Sequence, residues 1–160
     1  MKANHVTLRT ILIGLALVAL SLPASAQTWT RYKGKAIGSK VTIDGTSTLH
    51  DWTVEGKMVG GFMELDEKFP LDPAAKPAAD AKLNAKVEVT IPVTSLLSGK
   101  KLMDEVMYEH MKQRQYKTID YKLKQISLKP GSQAGALQFD TVGDLSVAGM
   151  MKPVSMVVTM

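Results

Sequence analysis

Residues 40–65 read KVTIDGTSTLHDWTVEGKMVGGFMEL. Val41 and Ile43 fall on one side of the chain, Thr42 and Asp44 on the other, and Trp52, Val54, Gly56 and Met58 take up the alternation again. A period of two is that of a strand with one buried face. The Gly60-Gly61 pair within the run predicts a bulge or sharp bend, the device by which a sheet curls. Between the two alternating stretches stands STLHDW (47–52), where His50 and Asp51 follow the hydroxyls of Ser47 and Thr48.

The same period recurs outward from this stretch. Over Asn84–Val93, Ala85, Val87, Val89 and Ile91 oppose Lys86, Glu88 and Thr90; over Ile119–Leu128, Tyr121, Leu123 and Gln125 oppose Lys122, Lys124 and Ile126. A turn at Pro130-Gly131 leads into two further β-rich runs, Leu137–Val147 and Pro153–Met160. Phe69–Ala81 holds three prolines and five alanines and is a loop. One segment breaks the period: Gly99–Gln115 spaces Leu102, Met103, Val106, Met107, His110 and Met111 three and four residues apart, an amphipathic helix. Ser98 stands where an N-cap belongs, Asp104 and Glu105 come early, and Lys112 and Arg114 come late. Short antiparallel strands around one helix specify a mainly β barrel or sandwich.

Composition limits what such a domain does. Lys2 and Arg9, the apolar run Ile11–Leu20, Pro23 and Ala24-Ser25-Ala26 have the three-part layout of a cleaved signal peptide over residues 1–26. The run is well short of the ~20 residues that span a bilayer, so no transmembrane segment is expected after cleavage. Residues 27–160 then form one domain in a periplasmic or secreted setting. Twenty basic residues against 15 acidic ones, scattered and with few aromatics, do not point to nucleic acid. The chain has no cysteine, which rules out disulfides and thiol chemistry.

Catalysis has little footing. In an extended strand His50 and Asp51 point to opposite faces, so Ser47, His50 and Asp51 do not make a triad. A G-x-S-x-G elbow is missing as well. Beyond the leader the chain has two histidines, His50 and His110, short of the three or four ligands of a zinc site, and the expected metal and cofactor content is none. The ten methionines include the stripe Met103, Met107 and Met111, which reads as core packing or as an adaptable lining for a flexible apolar ligand.

Three segments together resemble the YceI-like family of exported polyisoprenoid-binding proteins with a lipocalin-like barrel. They are VTIDGTSTLHDWTVEGKMVGG (41–61), VTSLLSGKKLMDEVMYEHMKQRQYKTIDYKL (93–123) and VGDLSVAGMMKPVSMVV (142–158). The third is similar to the family's G-D-L-x-x-x-G-x-x-K-P-V hairpin through Gly143, Asp144, Leu145, Gly149, Lys152, Pro153 and Val154. STLHDW, with a Met-containing helix after L-x-S-G, resembles one branch of the family.

The resemblance implies an antiparallel lipocalin-like β-barrel with one amphipathic helix, wrapped around an apolar tunnel. It implies non-enzymatic binding, transport or sequestration of an amphiphilic lipid, a polyisoprenoid or fatty-acyl-like chain, in the periplasm. The alternative is a ligand-free barrel serving stress response or protein interaction. Expected tunnel-lining residues are Val41, Ile43, Trp52, Val54, Met58, Phe62, Val87, Val89, Met103, Met107, Met111, Ile119 and Tyr121, with His50 and Asp51 at a polar mouth. Family members continue past the segment matching PVSMVVTM with further strands. About seven strand candidates fall short of a closed eight-stranded barrel, so C-terminal strands are expected to be missing and oligomers are compatible.

Overall fold

The structure is a computed structural model that describes residues 28–35, 38–48, 50–72, 83–129 and 136–160. The leader, Leu49, most of the Pro/Ala-rich loop and the Pro130-Gly131 turn lie outside the described residues.

Two antiparallel sheets, one α-helix and a short 3₁₀ helix at Val93–Ser95 make up the described chain. The larger sheet has the order β1 (Trp29–Lys33), β4 (Gly60–Asp66), β5 (Ala85–Pro92), β7 (Thr118–Leu128), β8 (Gln138–Val147), β9 (Met150–Thr159). The smaller one joins β2 (Val41–Gly45), β3 (Trp52–Gly56) and the two-residue β6 (Leu96–Leu97). The expected mainly β, antiparallel architecture with a single α-helix is what the described residues form. Closure is not: β1 and β9 are the two edges of the larger sheet, and β9 pairs with β8 alone among the described residues.

The run from Trp52 to Leu65 forms two strands in different sheets rather than one. Lys57–Val59 connects them, and this three-residue link exchanges the faces. On β3 the even positions Trp52 and Val54 pack inward, whereas on β4 the odd positions Gly61, Met63 and Leu65 share the inward row with Val89, Val87 and Ala85. Gly61 makes the approach possible. It has φ +140°, and a Cβ there would stand 2.1 Å from the Glu88 carbonyl oxygen, so the glycine is required.

Helix α1 spans Lys101–His110 and is shorter than the apolar spacing predicts. Its N-cap is Lys100, with no side-chain cap, so Ser98 is not the N-cap. Instead the buried Asp104 carboxylate reaches back, accepting from the Ser98 N–H at 2.7 Å and the Ser98 hydroxyl at 2.6 Å. Lys112, at φ 50°, turns the chain out of the helix.

The core is divided. One cluster gathers Val54, Val93, Leu96 and Ile119 between the small sheet, the helix and one end of the large sheet. The other gathers Leu65, Phe69, Leu137 and Phe139 at the opposite end of the same face, with the Phe69 and Phe139 rings 5.3 Å apart.

Candidate functional site: an apolar trough between two clusters

Strand register decides which side chains share the inner face of the large sheet. Gly61, Val89, Tyr121, Leu145 and Lys152 stand in one row across β4, β5, β7, β8 and β9. Leu123, Gly143 and Val154 form the next row on the β7–β9 side, and Tyr32, Met63 and Val87 on the β1–β5 side. Val87, Val89, Tyr121, Leu123 and Val154 are half-buried and belong to neither cluster. Among the described residues they form the floor of an apolar trough between the two clusters.

Glycine shapes this floor. A Cβ on Gly143 would stand 2.4 Å from the Tyr121 ring, so the ring lies flat across the neighbouring strand. The Tyr121 hydroxyl is buried and has no hydrogen-bond partner among the described residues. A buried hydroxyl left unpaired costs free energy, so this one is a polar point poised for a partner within the apolar floor.

The outer face of the sheet is charged. Arg31 and Lys86 flank Glu64 at 3.0 and 3.5 Å, Lys122 meets Glu88 at 3.1 Å, and Lys124 meets Asp144 at 3.1 Å. Alternation thus separates an apolar interior row from a solvated ionic one on every central strand.

The structure brings most of the expected lining residues together, though as two groups. Val41, Ile43, Trp52, Val54, Met103, Met107, Met111 and Ile119 meet in the first cluster, where the methionine stripe packs against the small sheet's core. Val87, Val89 and Tyr121 lie on the trough floor. Two expected positions do not line it. Met58 sits in the β3–β4 connection and is 55% exposed. Phe62 is in the outer row beside Lys33 and Glu88, with the Arg31 guanidinium 3.9 Å over its ring. The face exchange at Lys57–Val59 is the reason for both.

Ser47, Thr48, His50 and Asp51 lie in the β2–β3 connection. The Ser47 hydroxyl donates to the His50 carbonyl oxygen at 2.7 Å and accepts from the His50 N–H at 3.2 Å, a compact turn. His50 and Asp51 are exposed. Trp52 lies over Gly45, where a Cβ would stand 2.1 Å from the indole, and this contact anchors the connection to the first cluster. Among the described residues there is no group of three or more His, Asp or Glu side chains fit to hold a metal.

Sequence spacing alone missed two tyrosine and carboxylate roles. Tyr108 donates to the Leu96 carbonyl oxygen at 2.8 Å, fastening the helix to β6, and burial followed by the nearby Asp104 charge raises its pKa. Ser98 and Asp104, six residues apart, hold the helix start from the wrong side for a capping box, so the usual signal is absent.

The profile of the YceI-like domain matches residues 28–160. The chain belongs to the YceI-like family. The UPF0312 protein of Pseudomonas fluorescens is 34% identical over 142 residues, an alignment covering 74% of this chain and 67% of that protein. A crystal structure of the Campylobacter jejuni YCEI protein aligns with 97% of this chain and 67% of that one, at 15% identity and a TM-score of 0.42. Within the family match, the G-D-L-x-x-x-G-x-x-K-P-V segment is the β8–β9 hairpin. Its two loop residues, Ala148 and Gly149, have φ of 52° and 80°. No helix among the described residues is long and apolar enough to cross a membrane.

Proposed function

We propose that this protein binds the hydrocarbon chain of an amphiphilic lipid, a polyisoprenoid or fatty-acyl-like molecule, along the trough, and carries or sequesters it in the periplasm without catalysis. The observation that carries the reading is the floor itself: a strip of half-buried Val87, Val89, Tyr121, Leu123 and Val154 that neither cluster covers. Long flexible hydrocarbon chains suit such a strip, because apolar contact is non-directional and scales with the area removed from water. The leader-like residues 1–26 support the exported setting.

Native mass spectrometry of the full chain, purified without detergent, tests this. The expected result is an extractable lipid adduct that Val87→Glu reduces while circular dichroism stays native. Only apo protein, from folded native-sequence chain, would overturn the reading. A second reading, a ligand-free interaction or stress-response module, draws on the two clusters that fill the ends of the trough with the protein's own side chains. It predicts that no lipid co-purifies and that added lipid does not raise the melting temperature.

A further inference from the structure

The large sheet is not continuous between β5 and β7. Their register runs from Pro92↔Thr118 to Glu88↔Lys122 and stops there, although β5 continues back to Ala85 and β7 on to Leu128. The cause lies on β7. Its pairing with β8 steps from Leu123↔Gly143 to Gln125↔Val142, so Lys124 is the extra residue of a bulge. A bulge bends its strand and increases the local twist. Here β5 stays with β4, β7 stays with β8, and the two hairpins part.

The parting leaves a slot of about 590 Å³ lined by residues of both strands and by Trp29 and Leu83. Its lining mixes the apolar Trp29, Leu83, Ala85, Leu123 and Ile126 with Asn84, Lys86, Lys124, Gln125 and Ser127. Leu83, Ala85 and Ile126 pack against the second cluster, so the inner end is apolar. Lys86 and Lys124 stand at the outer rim with 60% and 54% of their side chains exposed. Lys86 Nζ lies 4.4 Å above the Trp29 ring and 3.5 Å from Glu64, and Lys124 Nζ is 3.1 Å from Asp144.

We propose that this slot is a lateral portal through which an amphiphile with an anionic headgroup passes its chain to the trough, the headgroup stopping between Lys86 and Lys124. The proposal rests on the lipid-binding reading and adds the route and the headgroup class. The mixed lining favours an amphiphile over a wholly apolar or wholly polar ligand: two cations at the rim, apolar side chains beneath. Trp29, an aromatic ring beside the rim cation, gives the interfacial stretch of such a molecule an amphipathic wall. Glu64 and Asp144 already partner the two lysines, so the headgroup competes with exposed carboxylates and its contribution to affinity is modest.

The test uses the full chain and two probes, cis-parinaric acid and its methyl ester, followed by fluorescence. Native protein is expected to favour the acid by about threefold at low salt, the scale of exposed charge pairs. The double variant Lys86→Gln, Lys124→Gln is expected to bind both probes equally, with ester affinity unchanged; a preference that survives the double variant would overturn the headgroup assignment. Because the chain has no cysteine, Gln125→Cys gives one modifiable site at the exposed rim. A bulky methanethiosulfonate adduct there is expected to slow probe uptake by about tenfold, with dithiothreitol restoring the rate, as when access requires a conformational change. The same adduct at Thr42→Cys, on the outer face of the small sheet, serves as control. Uptake equally fast with and without the Gln125→Cys adduct would overturn the portal while leaving lipid binding intact. Failure of folded native protein to bind either probe sinks the lipid reading itself, and the portal with it.

Discussion

Single residues fix the geometry at a few points, and their substitutions should be costly in proportion. Gly61→Ala places a Cβ against the Glu88 carbonyl at a φ that L side chains rarely adopt. A loss of about 2 kcal/mol or more in urea unfolding is expected from backbone strain combined with overpacking. Tyr108 offers a pH readout. Its proton is held more tightly in the folded chain than at the ordinary value of 10.0, so the unfolded state releases it first. Stability is then full below pH 10.0 and falls as pH rises through the folded value. Tyr108→Phe should flatten that alkaline slope in unfolding titrations, and at neutral pH it should cost about 1 kcal/mol for the lost bond to Leu96. At this scale the sequence was partly legible. The pairing of Trp52 with an inward face followed from alternation, and so did Val54. Phe62 did not, because a three-residue connection resets the parity and no local pattern records which way the next strand faces.

Elements owe their limits to local chemistry that alternation does not capture. The β8–β9 hairpin turns on Ala148 and Gly149, both at positive φ, as a two-residue type I′ loop requires. Gly149 also faces the Tyr116 ring, where a Cβ would come within 2.3 Å. Alanine is the mismatched member of this loop, so Ala148→Asn should stabilise the protein by about 0.5 kcal/mol in thermal unfolding, asparagine tolerating left-handed backbone better. The start of α1 depends on the buried Asp104 carboxylate. Asp104→Ala leaves the Ser98 N–H without its acceptor and should cost about 1–3 kcal/mol, measured by chemical denaturation. The helix itself was evident from its three- and four-residue spacing. Its ends were not, since Ser98 resembles an N-cap in composition while its hydroxyl donates to Asp104, with the Lys100 carbonyl oxygen at 3.2 Å as the other acceptor in reach, instead of capping the first turn.

For the molecule as a whole, alternation reported that faces exist without reporting how strands assemble. Period two on β2, β3, β5 and β7 foretold a mainly β antiparallel domain, and the order of the motifs foretold the family. That β2, β3 and β6 form their own small sheet depends on long-range pairing, which no single stretch encodes. The same holds for the slot between β5 and β7, which arises from one extra residue at Lys124. The divided core has a kinetic counterpart. Val54, Leu96 and Ile119 share no buried neighbour with Leu65 and Phe139, and the trough floor lies between the two groups. Phe139→Ala and Leu96→Ala, each emptying a fully buried site, should lower global stability by about 3–5 and 2–5 kcal/mol respectively. Their local signatures should part. Hydrogen exchange should quicken first around β4 and β8 in the former and around β3, β6 and α1 in the latter, as expected of neighbouring foldons. A molecule built this way is able to breathe at one end while the other stays shut.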